Sequence, residues 1–387
     1  MQTEDRLHYM DNLRALAMLA GVVFHAALAY SPLMHGIWPT ADSGQSIVVD
    51  ALVWFLHAFR MPLFFVVAGF FAALLVARRG MSGLFRNRGA RVLLPLVVFL
   101  PLVLLSTDWL TEHAVSTVAQ PSPMLAWLRD YVGQHGAMPT MPGWLHLWFL
   151  FYLLLFTLLV WVVSALEFGH LGARLVALPP WVLLLVLPVL LALPLAWISV
   201  PWPAPQFLLP SLWALLYFGG YFALGYQLFH QAALLDRLRS FSPWLLGGAV
   251  AVYAILFGVT EGFTTTDVTS LPHFLHALLQ SYAGFWMTIW CLLAAKRWLH
   301  GRRAVMRWLA DASYWVYLVH LPLLFAIQYP LLDWPMHWAA KFALATLASF
   351  ALSFTSYQLL VRHTVIGRML NGRTVSASPP AETASVT

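Results

Sequence analysis

The chain of 387 residues is 61% hydrophobic and 9% charged, where a soluble domain carries about 25% charged residues. So little charge excludes a water-facing globule and leaves lipid as the main solvent. The net charge of +6 comes from 21 basic against 15 acidic residues, and their distribution along the chain reads as membrane topology rather than nucleic-acid binding.

Apolar runs of about twenty residues, the length a helix needs to cross hydrocarbon, recur from end to end. They fall at roughly 13–31, 50–76, 92–109, 143–165, 180–198, 207–229, 243–260, 273–295, 309–328 and 338–361. Little period-two alternation accompanies the 26 Phe and 19 Trp, which favours helices over a β-barrel. The expectation is an all-α integral membrane protein, a bundle of about ten transmembrane helices with no separate soluble domain. The N-terminal stretch is polar through Arg14 and no small-residue cleavage site follows, so the first run is expected to stay as a signal anchor. Pro194, Pro201, Pro203, Pro205 and Pro210 crowd the connection between the fifth and sixth runs. Trp38, Trp54, Trp109, Trp144, Trp181, Trp202, Trp298 and Trp334 lie near run ends and fit interfacial belts. The one cysteine, Cys291, falls inside a run, so no disulfide forms within the chain. Residues 1–365 read as the transmembrane domain and 366–387 as a cytoplasmic, disordered tail rich in Ser, Thr, Pro and Ala.

Lys and Arg set the orientation. An even number of spans with the N-terminus inside puts 17 of the 21 basic residues on inner segments, including Arg78, Arg79, Arg86, Arg88 and Arg91 together and Lys296, Arg297, Arg302, Arg303 and Arg307 together. Both termini are therefore expected in the cytoplasm. The longest outer loop, about 110–142, is the candidate for an ordered cap over a site.

Ionisable groups inside spans are costly and mark functional candidates. Arg14 and His25 are eleven residues apart, three helical turns, so they share one face of the first run about 16 Å apart along the axis. Taken singly, Arg14 is also readable as a snorkelling anchor and His25 as a hydrogen-bonded contact between helices. The second run holds His57 and Arg60 on one face ahead of Pro62. Arg60 is deep enough to need a carboxylate, carbonyls or a cavity, and a structural ion pair is the plainer alternative. Arg86, Arg88 and Arg91 stand at the mouth of the third run, where Arg88 and Arg91 are spaced to converge on a phosphate; positive-inside charge accounts for them equally. His146 opens the fourth run between Trp144 and Trp148. Ser313, Tyr317 and His320 share a face, as do His273, His276 and Gln280, and polar contacts between helices serve for both sets as well as chemistry does. No HExxH, CxxC, P-loop or GxSxG is present, and no metal is expected.

Taken in order, MDNLRALAMLAGVVFH with Arg14 and His25, FRMPLFFVVAGFF, Arg88-x-x-Arg91, HLWFLFYLL at 146–154 and DASYWVYLVHLPLL resemble the membrane acyltransferase family 3 over about residues 5–365. FRMPLFF and SYWVYLVHLP look most like its glucan-biosynthesis branch, implicated in succinylating periplasmic glucans. Ala68 departs from the Ser that many relatives carry before Gly69. The resemblance implies a ten-span core in the bacterial inner membrane. It also implies transfer of an acyl group, succinyl or acetyl, from cytoplasmic acyl-CoA to a hydroxyl of a periplasmic or cell-surface glycan. It implies His25 as the catalytic histidine with Arg14, Arg88 and Arg91 as functional arginines; Arg86 joins them as a candidate for the coenzyme A end. His57, Arg60, His146, Tyr317 and His320 are the candidates for substrate contact. A neutral imidazole suits deprotonation of an alcohol, and inner arginines suit an anionic nucleotide. His25 as an acylated intermediate remains the other route. The competing readings are O-acetylation of another polysaccharide or lipid-linked sugar, and a transporter without chemistry, which a repeat relating the two halves would favour; none is visible.

Overall fold

Backbone N–H and C=O groups find no partners in hydrocarbon, so a chain this apolar satisfies them within helices. The computed structural model describes residues 2–139, 143–166, 174, 177–231, 233–260, 271–301 and 303–371, with side chains from residue 8 onward. The described residues form helices and connections with no strand. In chain order the helices are α1 (Gln2–Ala27), α2 (Ile47–Arg88), α3 (Leu94–Thr117), α4 (Pro123–His135), α5 (Trp148–Ala165), α6 (Pro180–Leu195), α7 (Leu212–His230), α8 (Leu234–Leu238), α9 (Ser242–Val259), α10 (Leu271–Trp298), α11 (Ala304–Leu332), α12 (Trp338–Ser356) and α13 (Val365–Asn371).

Among the described residues, seven helical segments are long and apolar enough to cross a membrane. One of them, Ile47–Thr117, has 71 residues, about 106 Å at helical rise. The hydrocarbon core is about 30 Å thick. The runs expected at 50–76 and 92–109 both fall in that segment. Gly80 breaks it at φ 67°, ψ −177°, a conformation only glycine adopts without strain, and a single π turn at Gly89–Leu93 follows. The apolar α6 has only 16 residues, and α7, which carries Tyr217, Tyr221, Tyr226 and Gln227, is not among the seven. The sixth run, expected to begin at 207, begins its helix at Leu212, and the proline-crowded stretch before it is irregular with bends. At the C-terminal end, residues 366–371 continue a helix; the rest of the expected tail lies outside the described residues.

The helix carrying Arg14 and His25 sits centrally, with α1 packed against α2, α10, α11 and α12. Beside it, α2 and α7 meet backbone to backbone. A Cβ on Gly69 would lie 1.9 Å from the Phe222 carbonyl oxygen, and one on Gly225 would lie 1.8 Å from that of Val66. Small residues at such crossings let dispersion contacts replace the hydrophobic drive that lipid removes. Pro62 lacks the N–H that would bond the carbonyl of Ala58, and Gly284 of α10 packs against that carbonyl.

The stretch 110–139 is ordered. Ser122 caps α4 by accepting from the Leu125 N–H at 3.1 Å and donates its hydroxyl to the Pro39 carbonyl at 2.7 Å. Arg129 donates to the carbonyls of Val115 and Val118 at 2.8 and 2.7 Å, and the Asp333 carboxylate accepts from Ala119 N and Gln120 N. Val115, Leu125 and Leu128 pack on Leu321, Phe325 and Tyr329 of α11, with Trp38 at the margin. Of the tryptophans expected in interfacial belts, Trp109, Trp181, Trp298 and Trp334 are exposed, whereas Trp54 and Trp202 are buried.

In the connection from α1 to α2, Asp42 meets Lys341 of α12 at 2.6 Å, both side chains buried. Asp42 also accepts the Gly44 N–H at 2.8 Å. Removing one member leaves an uncompensated buried charge. Asp42→Asn and Lys341→Met are each expected to cost about 3–5 kcal/mol, read as a fall in unfolding temperature of the detergent-solubilised protein. Replacing both by apolar residues of similar size is expected to recover most of that loss; a single variant as stable as the parent would contradict this.

Candidate active site

Two neighbouring spaces lie along the face of α1 that bears Arg14, Met18, Gly21 and His25. The first is a cavity of about 590 Å³ walled by Asp11, Arg14, Arg88, Arg91, Asp311 and Tyr314. Arg303 and Arg307 stand on its rim, both exposed. The second is a pocket of about 50 Å³ walled by His25, His57, Arg60, His146, Tyr317 and His320. Met18, Phe64 and Phe149 line both, so an apolar collar stands between them.

In the wide cavity, Arg14 pairs with Asp11 at 3.2 Å and lies over the Phe71 ring at 5.5 Å. Arg88 donates to the Ala68 carbonyl at 3.3 Å, and Arg91 to that of Asn371 at 3.0 Å. Tyr314 fixes the turn between them by donating to the Arg91 carbonyl at 2.7 Å. Each guanidinium uses one N–H in these bonds and keeps further donors for the cavity. Arg86 does not join them; it is exposed and lines neither space, because two residues along a helix turn its side chain away from the face of Arg88.

The narrow pocket is organised by one carbonyl. The Tyr317 oxygen accepts from His320 Nδ1 at 2.7 Å and from His146 Nε2 at 3.1 Å. A carbonyl cannot donate, so both nitrogens carry hydrogen. A neutral His320 then has its lone pair on Nε2, which lies 2.9 Å from His25 Nδ1. His25 must therefore donate through Nδ1, and its own lone pair is left on Nε2. The Tyr317 hydroxyl closes the arrangement by donating to the His146 carbonyl at 2.8 Å. Trp38 lies parallel to the His25 ring at 6.3 Å. His57 donates through Nε2 to the Trp202 carbonyl at 2.8 Å, with the two rings 3.8 Å apart. Trp202, only 1% exposed, thus backs His57 from behind the pocket lining.

Arg60 is 8% exposed. Its guanidinium lies over the Phe24 ring at 4.6 Å, and its Nε is a buried donor without a partner. Among the described residues it forms no ion pair, so the structural pair open at the sequence level is not found. A cation–π contact contributes about 0.5–2 kcal/mol, less than the several kcal/mol that desolvating a charge costs.

The structure therefore brings together His25 with His57, Arg60, His146, Tyr317 and His320, and separately Arg14 with Arg88 and Arg91. Asp11, Asp311, Tyr314 and Trp202 were not anticipated. The Asp11–Arg14 spacing of three was legible; the others reach the site only through tertiary packing. Among the described residues no group of three His, Cys, Asp or Glu side chains is arranged to hold a metal.

The basic cavity and the histidine-lined pocket lie inside a helical bundle of the multi-pass membrane class. The model of an acyltransferase domain, that of the membrane acyltransferase family 3, matches residues 7–358, and the chain belongs to that family. It is an O-acyltransferase. Its relatives include the glucans biosynthesis protein C of Salmonella typhi and that of Salmonella typhimurium, each 27% identical over 331 residues, 82% of this chain and 82% of the relative. The glucans biosynthesis protein C of Escherichia coli K12 is 29% identical over 163 residues, 42% of this chain and 40% of the relative. No solved structure matches.

If His320 sets the tautomer of His25, His320→Phe is expected to lower kcat for acyl transfer about 10²-fold, within the range of general acid–base catalysis, and leave KM for the acyl donor nearly unchanged. His320→Gln, which keeps an acceptor near the Nε2 position, is expected to recover part of the loss. Equal activity of His320→Phe and the parent would contradict the assignment.

Proposed function

We propose that the protein moves an acyl group, succinyl or acetyl, from cytoplasmic acyl-CoA to a hydroxyl of a glycan on the far side of the bacterial inner membrane. The observation that carries this reading is the adjacency of the two spaces: arginines at the wide end, an imidazole lone pair at the narrow end, and an apolar collar between. The nucleotide phosphates of coenzyme A lie against Arg14, Arg88 and Arg91. The pantetheine arm passes Met18, Phe64 and Phe149 and carries the thioester the three turns from Arg14 to His25, about 16 Å. The acceptor enters from the opposite side, beside His57 and His146.

The reaction follows from the tautomer. His25 Nε2 takes the proton of the acceptor hydroxyl as its oxygen attacks the thioester carbonyl carbon. The C–O bond forms, the C–S bond breaks, and the proton on Nε2 passes to the departing thiolate. Ester and free coenzyme A result, and the imidazole returns neutral. His320 and the Tyr317 carbonyl hold the ring during the exchange and stabilise the transient imidazolium. The names of the Salmonella and E. coli relatives support a glucan as the acceptor.

The topology that fits is ten spans with both termini in the cytoplasm over a transmembrane domain of residues 1–365. The 71-residue segment is too long for one crossing and supplies two, and α6 and α7 supply the fifth and sixth. This puts the wide cavity on the side where basic residues concentrate.

Kinetics of the purified protein test the assignment. His25→Ala is expected to lose at least the ~10²–10⁴-fold of general base catalysis with folding intact. Arg91→Ala is expected to raise KM for acyl-CoA more than it lowers kcat, the mark of lost uniform binding. Turnover by His25→Ala near the parental rate would remove the base. An unchanged donor KM in Arg91→Ala would remove the cavity as the donor site.

A further inference from the structure

The chemistry proposed above uses the lone pair of His25 and the arginines of the wide cavity, and it leaves one strong group unused. Arg60 is the only permanent charge lining the narrow pocket among the described residues. Its neighbours there are His25, His57, His146, Tyr317 and His320, none of which carries negative charge near neutral pH. Their N–H and O–H donors are committed elsewhere, while Nδ1 of His57 and Nδ1 of His146 have no partner. Tyr317 donates to the His146 carbonyl, His57 to the Trp202 carbonyl, and His146 and His320 to the Tyr317 carbonyl. The guanidinium lies over the face of Phe24, and its Nε has no hydrogen-bond partner. A structural arginine in a bilayer-embedded core meets a carboxylate or a set of carbonyls; this one faces a pocket instead.

Its placement is also built. A Cβ on Gly21 would lie 3.2 Å from Arg60 Nη1, so the absence of a side chain at Gly21 gives the guanidinium its seat. Gly21 is four residues before His25 on α1, about 6 Å along the axis, on the side of the collar through which a donor would come. Arg60 lines the same pocket as His25, so a thioester carbonyl held at His25 has a cation beside it. An acetyl group has no second carboxylate to offer that cation.

We propose that Arg60 is the acyl-chain selector: its guanidinium takes the free carboxylate of a short dicarboxylic acyl group while the thioester carbonyl of that group lies at His25. This rests on the reading of acyl-CoA as donor. The planar fork of arginine matches a carboxylate in two parallel bonds. The acyl group then supplies the negative charge that the pocket's own side chains lack, and a donor without that carboxylate leaves the cation buried and unpaired.

The test uses the full-length protein in detergent with succinyl-CoA and acetyl-CoA as probes, measuring both equilibrium binding and transfer to a glucan oligosaccharide. The parent is expected to bind succinyl-CoA at least tenfold more tightly than acetyl-CoA. Arg60→Gln is expected to erase that preference by weakening succinyl-CoA alone. Gly21→Ala, which keeps the charge but crowds its seat, is expected to narrow the preference. A parent that binds the two thioesters equally overturns the proposal, even where Arg60→Gln fails to fold. Equal losses on both donors in Arg60→Gln also overturn it and assign Arg60 to the oxyanion or to packing. Selective binding without transfer from either thioester would refute the acyl-transfer reading and leave the selector standing; transfer without selectivity would do the reverse.

Discussion

A single carbonyl oxygen, that of Tyr317, receives two imidazole N–H groups, and the orientation of the site depends on it. Backbone carbonyls are acceptors only, so the oxygen dictates which nitrogen of His320 and of His146 holds hydrogen. Through His320 it dictates the same for His25. In water such a chain would scramble among tautomers. Inside the bundle an unsatisfied N–H costs about 1–3 kcal/mol, and the chain settles on the one arrangement that satisfies every link. The result is a lone pair at a fixed atom with no carboxylate in the chain. An uncharged carbonyl does the orienting that a buried Asp performs in a triad, without adding a net negative charge that would pair with Arg60.

Cost of burial also explains the scaffold. Asp42 and Lys341 neutralise each other where the first connection meets α12. Asp50 sits in the first turn of α2, where its carboxylate accepts from the Ser31 hydroxyl and from Leu33 N at 3.2 Å. These contacts tie the segment after α1 to the start of α2, and Trp38, in that segment, covers His25. On the other flank, the glycine contact of α2 with α7 brings the α2 face bearing His57 and Arg60 close to Trp202 and the aromatic surface of α7. Arg60 stands outside this pattern: among the described residues no carboxylate pairs with it.

The sequence made the elements legible where periodicity suffices. Arg14 and His25 on one stripe, His57 with Arg60, and Tyr317 with His320 all follow from helical spacing within a single run, and each set lines a cavity in the structure. Contacts between helices were not legible. Nothing in the local pattern says that His320 meets His25 across 295 positions, or that Trp202 folds inward onto His57 rather than standing in a belt. Arg86 and Arg88 look alike as positive-inside charge, and their two-residue spacing on α2, which sends them to different faces, separates them. Hydropathy alone also under-describes α7, whose Tyr217 and Tyr221 are buried in the bundle and need no apolar character toward lipid.

The central claim is transfer across the bundle, with donor and acceptor meeting at His25 from opposite sides. Inside-out membrane vesicles test it directly. Acyl-CoA labelled in its acyl group is supplied outside, at the face that was cytoplasmic, and a glucan is enclosed within. Labelled ester on the enclosed glucan, formed by the parent and lost in His25→Ala, is the expected result. Ester formed only when glucan and acyl-CoA share one side, or formed equally without His25, would contradict it.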